Sequence, residues 1–222
     1  EKAKTDDIDI LYFPTGGGKT EAFLGVLVFN LFFDRHRGKA AGVTSILRYP
    51  LRLLSVQQVQ RLANVMAQAE LIRRNDATIN DTFPFSLGYF VGDNNTPNSI
   101  SDEQFSRYES MGKKQLDEHR VIDIGPFCSK KTVHIRVDRE RRRFIHYCDN
   151  PNCSSGGDLD LYIVDTEIYR YLPSAIISTV DKLAIMGCNA SFRNILNGAP
   201  KMCPKHGFTS RTRCTEYGCD VE

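Results

Sequence analysis

No apolar stretch near 18 residues runs uninterrupted through this chain, and no signal-peptide pattern opens it. A membrane span and secretion are therefore both unsupported, and a cytoplasmic location is expected. Internal repeats and low-complexity tracts are also lacking, which sets aside a repeat array. Charge of one sign is missing too: 29 Lys and Arg face 27 Asp and Glu, a net +2. Bulk electrostatics thus do not announce a nucleic-acid partner. An initiator Met is absent, and a strand-like run follows Glu1 within ten residues. The chain looks like a piece of a longer protein.

The 222 residues suit one large domain, or one domain carrying an insertion, and a 41% hydrophobic content can bury a normal core. Basic residues cluster locally, at Arg35 to Lys39, Lys130-Lys131 and Arg139 to Arg143. Seven cysteines, odd in number and closely spaced, favour metal ligation over disulfides.

The most informative stretch is Phe13-Pro14-Thr15-Gly16-Gly17-Gly18-Lys19-Thr20. An apolar run, Ile8 to Phe13, precedes it and reads as a strand; a helix-forming run, Glu21 to Phe33, follows. Strand, glycine-rich turn and helix is the context of a phosphate-binding loop. Glycines let successive N–H groups point inward, and the helix start adds unpaired N–H groups and a positive dipole end. In that reading Lys19 reaches the β and γ phosphates and Thr20 places its hydroxyl on magnesium. The pattern departs from the general one at Phe13, where glycine is usual. A plain glycine-rich turn is the competing reading.

Further along, the pattern predicts a strand over Val43 to Tyr49, then a helix to about Arg73 with Val56, Val59, Leu62 and Met66 on its core face. A strand is expected over Phe85 to Val91, and a weak helix within a polar excursion near 101–118. Residues 121–157 read as a β-hairpin with cysteines at its base, the plan of a zinc ribbon. Short strands are expected at Leu161 to Asp165 and Ala175 to Thr179, with a helix opening at Thr179.

Two cysteine clusters carry metal chemistry. In the second, Cys203 and His206 are separated by two residues, and Cys214 and Cys219 by four. Two such pairs can converge on one tetrahedral zinc, and four N/S ligands imply a structural site. Buried free cysteines and a surface histidine are the alternative. The first cluster offers only Cys128, Cys148 and Cys153, because Gly125 stands where a ribbon would place a ligand. The fourth ligand is then His146, His134 or Cys188, or the metal is lost and the hairpin alone retained. Metal in either cluster would contribute folding energy.

Arg48, Arg52, Gln57, Gln58 and Arg61 flank the end of the strand at 43–49. In open α/β sheets ligands sit at the carboxyl ends of strands, where such donors can hold a sugar-phosphate backbone. A solvated helix face competes with that reading. Thr179 and Lys182 are similarly placed, although Thr179 also suits a helix N-cap. The basic run 139–143 is either a contact for nucleic acid or a partner, or a solvated turn.

Phe13 to Ala22 resembles motif I of superfamily-two helicases, Arg48 to Leu62 resembles motif Ia, and Ser178 to Ala184 resembles motif Ib. Together with Ala69 to Arg74, Phe85 to Asn98 and Ile163 to Pro173, the wording is similar to the DrmA helicase family of the DISARM antiphage defence system. The resemblance covers most of residues 8–190. It implies an α/β fold: a RecA-like P-loop NTPase domain with a mainly parallel sheet and a zinc-ribbon-like insertion. Residues 1–120 would be the first part of that domain, 121–160 the insertion, 161–200 its continuation, and 201–222 a second zinc cluster. It implies ATP and Mg²⁺ at Gly16, Gly17, Gly18, Lys19, Thr20 and Glu21, with Lys19 and Thr20 in catalytic roles and Glu21 helping the loop keep its shape. Zn²⁺ would sit at the cysteines, and DNA backbone, single-stranded or with a single-stranded end, at Arg48, Arg52, Gln58, Thr179 and Lys182. A DrmB-like partner protein is implied as well. No acidic Asp-Glu-x-His motif and no second RecA-like domain occur within the 222 residues, so turnover by this piece alone is not expected. The competing class is a zinc-bearing nucleic-acid-binding or scaffolding module with a vestigial phosphate loop.

Overall fold

A computed structural model describes residues 10, 12, 18–49, 52–91, 97–180, 182, 189–198, 201–209, 214 and 219, with side chains described outside 52–56 and 197–198. Four strands form one parallel sheet: β1 (Ser45–Tyr49), β2 (Leu87–Phe90), β5 (Leu161–Tyr162) and β6 (Ala175–Thr179). Their spatial order is β1-β6-β2-β5, with Ser45 opposite Ala175 and Leu87 opposite both Ala175 and Leu161. Every residue of β6 is buried, as expected of a central parallel strand covered on both faces. Its side chains alternate between two cores. Ala175 and Ile177 join the larger one with Leu87, Tyr89 and Val91; Ile176 faces a smaller one with Phe90, Tyr162, Ile168 and Tyr169.

Helices α1 (Lys19–His36) and α2 (Arg52–Asn75) pack on the larger core. Leu24, Leu27 and Leu31 recur at helical spacing on α1 and are buried. Glu21 in its first turn and Arg35 and His36 in its last suit the helix dipole. The run is apolar nearly all round, a pattern that suits burial within a larger assembly; in this chain Phe23, Val26, Phe29 and Phe33 are at least half exposed. Of the strand expected over 8–13, only Ile10 and Tyr12 are described. Neither lies in a strand, and both side chains are largely exposed, because no described strand pairs with them.

The polar excursion forms two short helices, α3 (Asp102–Glu109) and α4 (Lys113–Asp117), with Gly112 at the start of the second. Ser101 and Gln104 close a reciprocal capping box on α3. The expected hairpin is β3 (Val133–Asp138) and β4 (Arg143–Cys148), antiparallel, with Val133 opposite Cys148. Val133, Ile135 and Phe144 bury it against Phe105 and Leu116 of α3 and α4. Helix α5 (Asp165–Tyr171) and a π-turn (Asn194–Gly198) cover the smaller core. A last antiparallel pair, β7 (Lys201–Cys203) and β8 (Gly207–Thr209), contacts α5. No helix among the described residues is long and apolar enough to cross a membrane.

Candidate metal centres and phosphate loop

The tight turn between β7 and β8 holds Cys203 and His206 and meets Cys214 and Cys219 from the end of the chain. Gly207 makes the turn possible at φ +83°, and a Cβ there would come 2.5 Å from the Arg170 carbonyl oxygen. Cys203 Sγ lies 3.7 Å from His206 Nδ1 and 3.7 Å from Cys219 Sγ; Cys214 Sγ lies 3.5 Å from the same Nδ1. A tetrahedral ion with Zn–S of about 2.3 Å and Zn–N of about 2.05 Å sets S···S near ~3.8 Å and S···N near ~3.6 Å. These three separations match edges of such a tetrahedron, and all four donor atoms lie within 4.8 Å of one another. His206 Nε2 is 3.0 Å from the Glu140 carbonyl in the β3–β4 turn. That acceptor puts the ring proton on Nε2 and leaves Nδ1 as the ligand atom. Burial raises the Cys203 thiol, but N–H groups of His206 and Lys205 outweigh it and hold the thiol below its ordinary range. The set fits a closed, structural zinc site.

The first cluster stands at the base of the hairpin. Cys128 and Cys148 sulfurs are 3.7 Å apart, and Cys153 completes a group of three. Burial of Cys128 is outweighed by donors from Lys130, Asn150 and Thr132, which bring its thiol down to about 7. A Cβ at Gly125 would lie 2.7 Å from Cys128 Sγ and 3.5 Å from Cys148 Sγ. Gly125 therefore lies against both sulfurs but offers no side chain to a metal. Two of the three candidates for the fourth ligand are corrected. His134 is engaged elsewhere, bridging Asp117 at 2.7 Å and Asp149 at 2.8 Å. His146 is wholly buried; burial and the nearby Arg143 push it down to about 3, and its Nε2 accepts from the Val121 N–H. Cys188 lies outside the described residues. No disulfide joins any two of the six described cysteines.

At the phosphate loop, Gly16 and Gly17 lie outside the described residues. Gly18 N-caps α1 at φ +79°, a left-handed conformation that side chains avoid. Lys19 and Thr20 follow in the first helical turn, Lys19 exposed and Thr20 half-buried. They share a cleft of about 490 Å³ with Phe23, Leu27, Arg48 and Tyr49. Glu21 accepts a hydrogen bond from Arg61 Nη2, which ties the start of α1 to α2. Its own N–H and that guanidinium hold its carboxyl below the ordinary range. Arg61 is thus paired within the protein.

The residues expected on DNA separate into two groups. Arg48 is exposed on β1 and Gln58 is half-buried on α2; the Arg52 side chain lies outside the described residues. Thr179 and Lys182 are 3% and 4% exposed. Lys182 Nζ contacts Asp165 Oδ2 at 2.5 Å and Asn98 Oδ1 at 2.6 Å, above the Phe90 ring. This corrects the surface role expected of both: α5 brings an acid over the end of β6, and the ammonium is neutralised inside. The signal for it was Asp165, buried among apolar neighbours and four residues from Tyr169. The Glu140 acceptor was invisible in sequence, since it acts through its backbone. At the hairpin tip Arg139 pairs with Glu109 and Arg142 with Asp102, while Arg143 turns inward onto Tyr162 and Tyr171.

No family model matches the sequence. It is similar to the DISARM protein DrmA of Bacillus paralicheniformis, 33% identical over 219 residues. The match covers 90% of this chain and 20% of DrmA, so the chain spans about a fifth of that relative's length.

Proposed function

We propose that this DrmA-related chain forms the first RecA-like part of an ATP-driven superfamily-two DNA helicase or translocase of antiphage defence, working in the cytoplasm. The observation that carries the reading is Gly18 at φ +79° opening an 18-residue helix with Lys19 and Thr20 in its first turn, beside a parallel sheet. A helix start with that cap presents N–H groups and a positive dipole end to an anion. Gly16 to Thr20 would hold the phosphates of ATP and its Mg²⁺, with Glu21 braced by Arg61. Arg48, Arg52 and Gln58 would lie along the backbone of a DNA single strand. Residues 1–120 and 161–200 would make the RecA-like part, 121–160 the hairpin insertion and 201–222 the second zinc cluster, with zinc supplying rigidity. A DrmB-like protein would be the partner. ATP turnover would need the acidic motif and second RecA-like domain of a longer protein.

Lys19→Ala in the full-length protein tests this. DNA-stimulated ATPase is expected to vanish while DNA binding persists. Normal turnover in the variant would overturn the proposal and favour a scaffold with a vestigial loop.

A further inference from the structure

A cavity of about 280 Å³ opens between the N-terminal ends of the sheet strands, the hairpin tip and the β7–β8 turn. Lys19 and Thr20 do not line it. Four cationic residues do: Arg35, Arg141, Arg143 and Lys205, against one acid, Asp160. Tyr162 and Tyr171 stack there at 5.3 Å and 7°, and the Arg143 guanidinium lies 4.6 Å from each ring. Arg35 is 3% exposed, and its buried Nε has no hydrogen-bond partner. Asp160 keeps part of its surface exposed; its dense surroundings push the carboxyl above its ordinary range against the opposing charge of Arg143, with no direct ion pair between the two among the described residues.

Three chemistries thus converge. Tyr162 is 6% exposed, so the half-buried Arg143 guanidinium and Tyr171 ring supply the cationic and aromatic surface that suits a planar ring. A carboxylate that only accepts suits an N–H-bearing edge. Basic groups at the rim suit a phosphate. Arg141 pairs with Asp138 at 3.8 Å and Lys205 with Glu140 at 3.3 Å, both exposed contacts that a phosphate can replace; a simple anion would leave the rings and Asp160 unused, and an apolar ligand would leave the cationic rim unused. We infer that this cavity is a second nucleotide-binding site, taking one nucleotide unit with its base toward Tyr171, Arg143 and Asp160 and its phosphate toward Arg141 and Lys205. It shares no lining residue with the cleft at Lys19, so it does not depend on the phosphate loop being active. The β7–β8 turn forms one wall, and Tyr171 Oη donates to the Lys205 carbonyl at 3.1 Å, so the zinc-site turn shapes the pocket.

The test is calorimetric titration of the full chain with AMP, GMP, CMP and UMP, and separately with inorganic phosphate. Saturable binding of monophosphates, much tighter than phosphate alone and unchanged in Lys19→Ala, is expected. Arg143→Ala should weaken all four by about 5- to 150-fold, the range for loss of a stacked base. Asp160→Asn, isosteric and without the charge that burial disfavours, should keep the fold and change the ranking of the four bases. Equal binding of phosphate and monophosphates would overturn the inference, as would binding lost in Lys19→Ala. An unchanged base ranking in Asp160→Asn would overturn it even if Arg143→Ala fails to fold.

Discussion

Replacing Lys182 with methionine separates two roles for one residue. The ammonium is 4% exposed and lies 2.5 Å from Asp165 Oδ2, itself a buried side chain, and 2.6 Å from Asn98. Lys182→Met keeps an unbranched apolar side chain but removes the ammonium over Phe90 and strands the Asp165 charge. Breaking one side of a buried pair costs about 3–5 kcal/mol. For a chain of this size that lowers Tm by roughly 6–20 °C. Adding Asp165→Asn removes the stranded charge and should recover much of the loss, so the double variant should be more stable than the sum of the singles. The assay is urea or thermal unfolding of all three variants, with the salt dependence of single-stranded DNA binding measured beside it. Removing one cation from the phosphates of a single strand lowers the salt slope by about 0.7. Exposed Arg48, replaced by alanine, should show that change; Lys182→Met should not. The reasoning fails if Lys182→Met melts within about 1 kcal/mol of the parent and its slope falls.

Cys214→Ser should remove one zinc per chain by elemental analysis and loosen the end of the chain to protease; unchanged zinc would exclude the four-donor site. Gly207→Ala should destabilise the β7–β8 turn by at least about 1 kcal/mol, because its φ of +83° and the 2.5 Å approach to the Arg170 carbonyl leave no room for a Cβ; an unchanged melt would contradict that packing. Glu167 is fully buried, and burial pushes its carboxyl from 4.5 up to about 7. Its folded pKa lies above its unfolded one, so the native state is favoured below pH 4.5 and loses up to about 3 kcal/mol as pH rises through 7. Glu167→Gln should therefore gain stability relative to the parent across that window; a pH-independent difference between the two would refute the shift.

Much of the fold was legible because it is periodic. The apolar spacing of α1 and α2, the alternation of β3 and β4, and the short buried runs of β2 and β6 all reappear within a few residues of their expected limits. The cysteine spacing was equally direct: Cys203, His206, Cys214 and Cys219 converge, and Gly125, with no side chain to offer, lies against the sulfurs of Cys128 and Cys148. Local chemistry is written locally. What failed was the inference from local position to exposure. Lys182 and Thr179 stand at a strand end, as a surface contact would, yet Asp165 of α5 and Asn98 close over Lys182, and Thr179 is buried where β6 pairs with Tyr49 of β1.

From the sequence alone came the phosphate-loop composition, the helix that follows it and the two sulfur-rich ligand sets, because glycine conformations, helix capping and close ligand spacing depend on neighbours in the chain. Tertiary structure decided the rest. It inserted β6 between β1 and β2, although Thr179 follows Tyr49 by 130 positions. It turned Arg143 inward and buried Lys182, because the partners of each charge arrive from distant segments whose approach only the packed sheet sets.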